Sequence, residues 1–152
     1  AKPVPVNPNN LRHGRWGEII VSIAGVTTNL IIAFIFTIVY VAVTLYAPVT
    51  WWSNMLIELS IISVSINLGL LVFNLLPIPP LDGYRVVKGL LVGKVRNINL
   101  FWNIERYSGI ILLVVLFVLP RLGITFVSDF MGWSINGIFN FFLNIALALF
   151  GV

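Results

Sequence analysis

The apolar run from Met55 to Leu76 ends abruptly on Pro77-Ile78-Pro79-Pro80, and no other feature of the chain narrows its possible folds as far. A run of this kind matches the roughly 20 residues that an α-helix needs to cross a bilayer core. Each proline removes a backbone donor and pushes the residue before it toward an extended conformation, so the helix is expected to stop at Leu76. Backbone freed at membrane depth persists only where protein or a water-lined cavity satisfies it. The stretch Asn74-Leu75-Leu76-Pro77-Ile78-Pro79-Pro80-Leu81-Asp82-Gly83 also carries a carboxylate. An unwound, acid-bearing segment in this position marks a site inside a membrane protein.

Composition agrees with that reading. With 59% hydrophobic and 9% charged residues, and several runs near membrane-crossing length, the chain is expected to be an all-α polytopic membrane protein. It should have three to four transmembrane helices, a proline-unwound segment after the second, and one membrane domain over residues 1–152. The absence of cysteine removes disulfide frameworks and thiolate metal sites, which leaves histidine and carboxylates as metal ligands. The net charge of +4 resides in loops between apolar spans, where it sets membrane orientation rather than binding nucleic acid.

Along the chain, Ala1 to Pro8 alternates proline with valine and should run extended, and Asn9 to Gly17 is a basic stretch with His13 suited to the membrane interface. From Gly17 to Tyr46 the residues Glu18, Ser22, Gly25, Asn29, Ala33, Thr37, Tyr40 and Thr44 recur at steps of three or four. That spacing is one helix face, and its small and polar side chains direct it into the bundle. Ala47 to Asn54, uncharged and holding Trp51 and Trp52, reads as an external interfacial turn. The second span has its own stripe of Ser60, Ser63, Asn67 and Asn74.

Gly83 to Tyr107 holds Arg85, Lys88, Lys94, Arg96 and Arg106 against Glu105, so the positive-inside rule places loop 83–107 in the cytoplasm of a multi-pass cell-membrane protein. A third span is expected over Ser108 to Leu119, extended backward by Asn97 to Tyr107. Pro120-Arg121 should break it, with Leu122 to Trp133 forming a re-entrant or surface segment. Ser134 to Phe150, at 17 residues, lies at the short limit for crossing. Its Asn136, Asn140 and Asn144 form an i, i+4, i+8 ladder that should bond to a neighbouring helix or subunit.

The run FNLLPIPPLDG resembles the third core motif of the site-2 protease family, intramembrane zinc metalloproteases in which an asparagine, two prolines and an Asp-Gly pair occur in this order. Here they are Asn74, Pro77, Pro79, Asp82 and Gly83. Ala24 to Asn29 resembles the family's second motif, with Gly25 and Asn29 at the family spacing and Val26 where the family has proline. Ala1 to Pro8 and Ile104-Glu105-Arg106-Tyr107 are also similar to family segments. The resemblance implies a zinc metalloendopeptidase that cleaves transmembrane or juxtamembrane segments of protein substrates within lipid. It implies Asp82 as the third ligand of one Zn²⁺, Asn29 and Asn74 as amides offered to unwound substrate backbone, and Gly25, Pro77, Pro79 and Gly83 as residues that shape the site.

In that family an HExxH sequence on an earlier helix supplies two histidines and the general base. This chain has no HExxH, and its only histidine is His13. The resemblance therefore covers the part that follows the HExxH helix, with no catalytic residue in the chain itself. Read this way, the sequence opens in mid-domain and is expected to be inert alone. With Glu18 at the cytoplasmic surface, Asn29 falls about 16 Å deep at 1.5 Å per residue, in the leaflet that Asp82 reaches. Asn29 and Asn74 are thus expected to line the cavity into which Asp82 points. Two other functions fit the same polar stripes: a non-catalytic structural subunit of a membrane complex, and half of a transporter built on broken helices.

Overall fold

The computed structural model describes residues 15–91 and 104–152. The Ala1–Pro8 segment, His13 with its basic neighbours, and Lys94, Arg96 and Asn97 lie outside the described residues. Among the described residues the chain is helical, with no strand. Helix α1 runs Arg15–Tyr46, α2 Trp51–Leu75, α3 Asp82–Leu91, α4 Ser108–Arg121 and α5 Phe126–Leu149. Three of these are long and apolar enough to cross a membrane: α1 over Ile19–Tyr46, α2, and α5. Their outer faces present Ile20, Ile31, Ile35, Ile62, Ile66 and Leu70, each about half exposed. Lipid tails are as apolar as these side chains, so such faces are stable toward a bilayer.

The described residues fall into two compact units. One combines Val26–Phe73 with Ile124–Val152. Its core is Ala33, Val64, Leu68 and Phe142, with Phe34, Phe36, Ile135, Ile138 and Phe139 packed around it. Ala33 and Leu68 are fully buried, the small residue admitting the large one. Because lipid offers no hydrophobic drive between helices, this interdigitation is what holds them. Phe34 meets Phe142 edge to face with ring centroids 5.0 Å apart, and Tyr46 meets Phe150 at 5.6 Å. Contacts that advance together along both helices make α1 and α5 parallel. The four-residue link 47–50 returns α2 antiparallel to α1.

Helix length corrects the expected third span: α4 has 14 residues, which rise about 21 Å where about 30 Å is needed, and it is not among the three helices long and apolar enough to cross. Since α5 runs with α1 and against α2, the chain leaves α2 and enters α5 at the same end of this unit. The third crossing is α5, a continuous 24-residue helix that starts at Phe126 rather than Ser134. Asp129 lies in the first turn of this helix, where an acid is favoured by the helix dipole. The Thr125 hydroxyl donates to its Oδ2 at 2.7 Å. Pro120 leaves its mark one turn earlier than expected. A π-helical turn at Val114–Val118 absorbs the backbone hydrogen bond that the proline cannot make, and the helix closes at Gly123, whose φ of 81° suits a residue without Cβ.

The expected interfacial turn over Ala47 to Asn54 is shorter, because helix α2 begins at Trp51. Thr50 and Ser53 explain the start: the Ser53 amide donates to Thr50 Oγ1 at 3.2 Å and the Thr50 amide donates to Ser53 Oγ at 2.9 Å. This is a reciprocal cap with serine in the position usually held by Glu or Gln. The inward stripe of α1 is real at Ser22, Ala33 and Thr37, all buried, while Asn29 and Tyr40 are half-buried. That of α2 is centred on Ser53, Ser60, Val64, Leu68 and Leu71, with Ser63, Asn67 and Asn74 on its flank.

Candidate functional site

The second unit combines the described residues before Val26 with those of Asn74–Gly123, and the site motif lies within it. Helix α2 ends at Leu75, and residues 76–81 are non-helical, as three prolines in four positions require. The Pro79–Pro80 peptide bond is cis. Leu76, Pro79 and Leu81 are buried, so this turn packs against protein. Its backbone is held by the Leu81 amide donating to the Ile78 carbonyl at 3.0 Å and the Arg85 amide donating to the Leu81 carbonyl at 3.4 Å.

Asp82 lies not in the unwound segment itself, as the sequence led one to expect, but in the first turn of α3. The basic loop expected from Gly83 therefore begins as a helix. Tyr84, Val87, Leu90 and Leu91 recur at steps of three or four, and an acid at the helix start meets the positive end of the dipole. Asp82 is half-buried, and its Oδ1 accepts a hydrogen bond from Ser22 Oγ of α1 at 3.3 Å. A Cβ placed on Gly25 would stand 3.8 Å from Asp82 Oδ2. The structure thus brings together Asp82 and Gly25, from the two motifs that the sequence identified separately, with Ser22 beside them. Ser22 was visible only as one member of the polar stripe; its spacing of three from Gly25 was the available signal.

Gly83 has a steric reason to be glycine. An added Cβ would collide with the Leu75 carbonyl oxygen and stand 2.5 Å from its carbon and 2.6 Å from the Leu76 oxygen. The start of α3 is therefore pressed directly onto the last carbonyl of α2 and the one that follows it. Tyr84 follows, 7% exposed, and among the described residues its hydroxyl has no hydrogen-bond partner. Burial, and secondly the charge of Glu105, push this phenol above its ordinary value of 10.0. Lys88 pairs with Glu105, and a cavity of about 220 Å³ lies among Pro79, Pro80, Tyr84, Arg85, Glu105 and Ser108. Neither the pairing nor the cavity is written in local sequence, since both depend on residues some 20 positions apart.

Among the described residues there is no cluster of three His, Cys, Asp or Glu side chains. Asp82 fits one ligand position, a carboxylate oriented by a hydroxyl behind it, and the described residues alone do not supply the further ligands of a zinc site. Asn74 is half-buried in the last turn of α2, and Asn29 is half-buried on α1 within the other unit.

The chain is similar to two known proteins. The chain is 40% identical over 122 residues to a Bacillus subtilis (strain 168) protein named "Putative zinc metalloprotease YwhC", covering 79% of this chain and 54% of that one. It is 37% identical over 68 residues to "Putative zinc metalloprotease MJ0611" of Methanocaldococcus jannaschii, covering 45% of this chain and 32% of that one. The likeness supports a zinc metalloprotease-like family. No family model matches, and no solved structure matches. The chain spans about half the length of the first relative and about a third of the second.

Proposed function

We propose that this chain is the membrane portion of an intramembrane zinc endopeptidase of the site-2 type, which cleaves transmembrane or juxtamembrane segments of other proteins. The observation that carries the reading is Asp82, set at the start of α3 directly after a proline-unwound turn and held against Ser22 and Gly25 of a membrane-crossing helix. A carboxylate so placed serves as one zinc ligand, and Ser22 orients it. The other two ligands and the general base come from an HExxH helix elsewhere in the full-length protein, in keeping with the relatives' greater length. When bound there, zinc supplies Lewis acidity and a water of lowered pKa.

The remaining roles belong to this chain's own groups. The carboxamides of Asn29 and Asn74 engage the backbone of an unwound substrate, and residues 76–81 leave non-helical backbone beside the carboxylate. Loop 83–107 faces the cytoplasm of a cell membrane, so the site opens toward that side. Zinc content and cleavage of a membrane-embedded reporter by the full-length protein test the reading. Asp82→Ala should lose both, and Asn29→Ala should keep zinc and turn over more slowly. His13→Ala should change neither. Full metal and activity in Asp82→Ala would refute the assignment.

A further inference from the structure

The asparagine ladder of α5 lies on the wrong face to hold its own unit together. Ile135, Ile138, Phe139, Phe142 and Ala146 turn inward, whereas Asn136, Asn140 and Asn144 are all exposed. Several polar side chains elsewhere in the bundle bond to their own helix. Thr37 Oγ1 donates to the Ala33 carbonyl at 2.8 Å, Ser60 Oγ to that of Leu56 at 2.7 Å and Asn67 Nδ2 to that of Ser63 at 2.8 Å. Among the described residues the three ladder amides have no such bond. Each carboxamide offers two donors and an acceptor, and three of them on the outer face of a membrane-crossing helix are costly in lipid unless a partner meets them.

We infer that this face pairs with α5 of a second copy of the protein. Copies inserted with one topology present α5 in one direction, so two such helices meet parallel about a two-fold axis along the membrane normal. That symmetry sets Asn136, Asn140 and Asn144 opposite their own counterparts. The carboxamide is both donor and acceptor, so identical groups bond reciprocally at each rung, about 6 Å apart at four residues per rung. A different helix would have to present matching polar groups at the same three heights. Gly137, on the same exposed side, has nothing within 4 Å of where a Cβ would stand, which lets the two backbones approach. Asn136 also borders a groove of about 230 Å³ with Val64, Leu68 and Phe139, room for a side chain of the opposing helix.

The pairing is independent of the proteolytic reading, and its test has no cleavage readout. The chain has no cysteine, so on a cysteine-free full-length background Asn140→Cys or Asn144→Cys should form disulfide-linked dimers in membranes under mild oxidant. Ile62→Cys, about half exposed on α2, should not. Energy transfer between two differently labelled populations of the otherwise unaltered protein in phosphatidylcholine vesicles should be strong. Asn140→Leu should weaken the association about threefold to about twentyfold, the range of measured interhelical hydrogen bonds in lipid. Replacing all three asparagines by leucine should abolish transfer. Cross-linking at position 140 no better than at 62, cross-links to a different polypeptide alone, or transfer unchanged in the triple variant would each overturn the proposal.

Discussion

The turn after α2 and the bundle core solve opposite problems with similar residues. In the bundle, small and hydroxylated residues face inward and bond to their own helix, as Thr37 and Ser60 do, so each helix enters packing already satisfied. In the turn, satisfaction comes from other segments: Asp82 takes its hydrogen bond from Ser22, sixty residues away, and Gly83 meets the end of α2 backbone to backbone. The bundle is therefore built from self-sufficient pieces and the site from dependent ones. A substitution in the first is felt locally, whereas one in the second moves whole elements.

The largest expected separation between the two regions is chemical. In the full-length protein, Asp82→Ala should lower zinc affinity more than about 100-fold, beyond the roughly tenfold expected of Ser22→Ala, which stands behind the ligand rather than in its place. Thr37→Val in the bundle should leave zinc content unchanged. Metal analysis after dialysis against a graded chelator series would rank the three, and equal losses for Ser22 and Asp82 would dissolve the distinction.

Next comes backbone approach. Gly83→Ala should destabilise by about 3 kcal/mol or more, because backbone carbonyls cannot yield as side chains do. Gly69, in open surroundings within α2, should instead gain up to about 1 kcal/mol on substitution by alanine. Thermal unfolding in detergent reads both signs. Within the bundle, Ala33→Leu should cost about 1–3 kcal/mol by overpacking against Val64, Leu68 and Phe142; a neutral result would mean that the core is looser than its buried alanine implies.

The smallest effect belongs to Tyr84. Its phenol is pushed up mainly by burial, so the folded state holds the proton more tightly than the unfolded chain. The resulting contribution is full below about pH 10 and is lost as pH rises through the folded value. Tyr84→Phe should flatten that alkaline decline while changing stability at pH 7 by less than about 1 kcal/mol, since the hydroxyl it removes has no partner to lose. Unfolding midpoints from pH 7 to 11 measure it.

Sequence alone determined what is local. Hydrophobic run length set the helical membrane class, three prolines set the end of α2 within one residue, and helical spacing set the buried face of α1 through Ser22, Ala33 and Thr37. These follow from backbone sterics and periodicity, which act over a few residues. The structure decided what depends on direction and distance. It showed that α5 runs with α1 and that Asp129 sits in the first turn of a helix long enough to cross. It showed too that Asp82 opens a helix and meets Ser22, and that Gly83 is compelled by the carbonyls of Leu75 and Leu76. A proline or an acid breaks or starts a helix according to what stands across from it, and that neighbour is set by the packing of segments far apart in the chain.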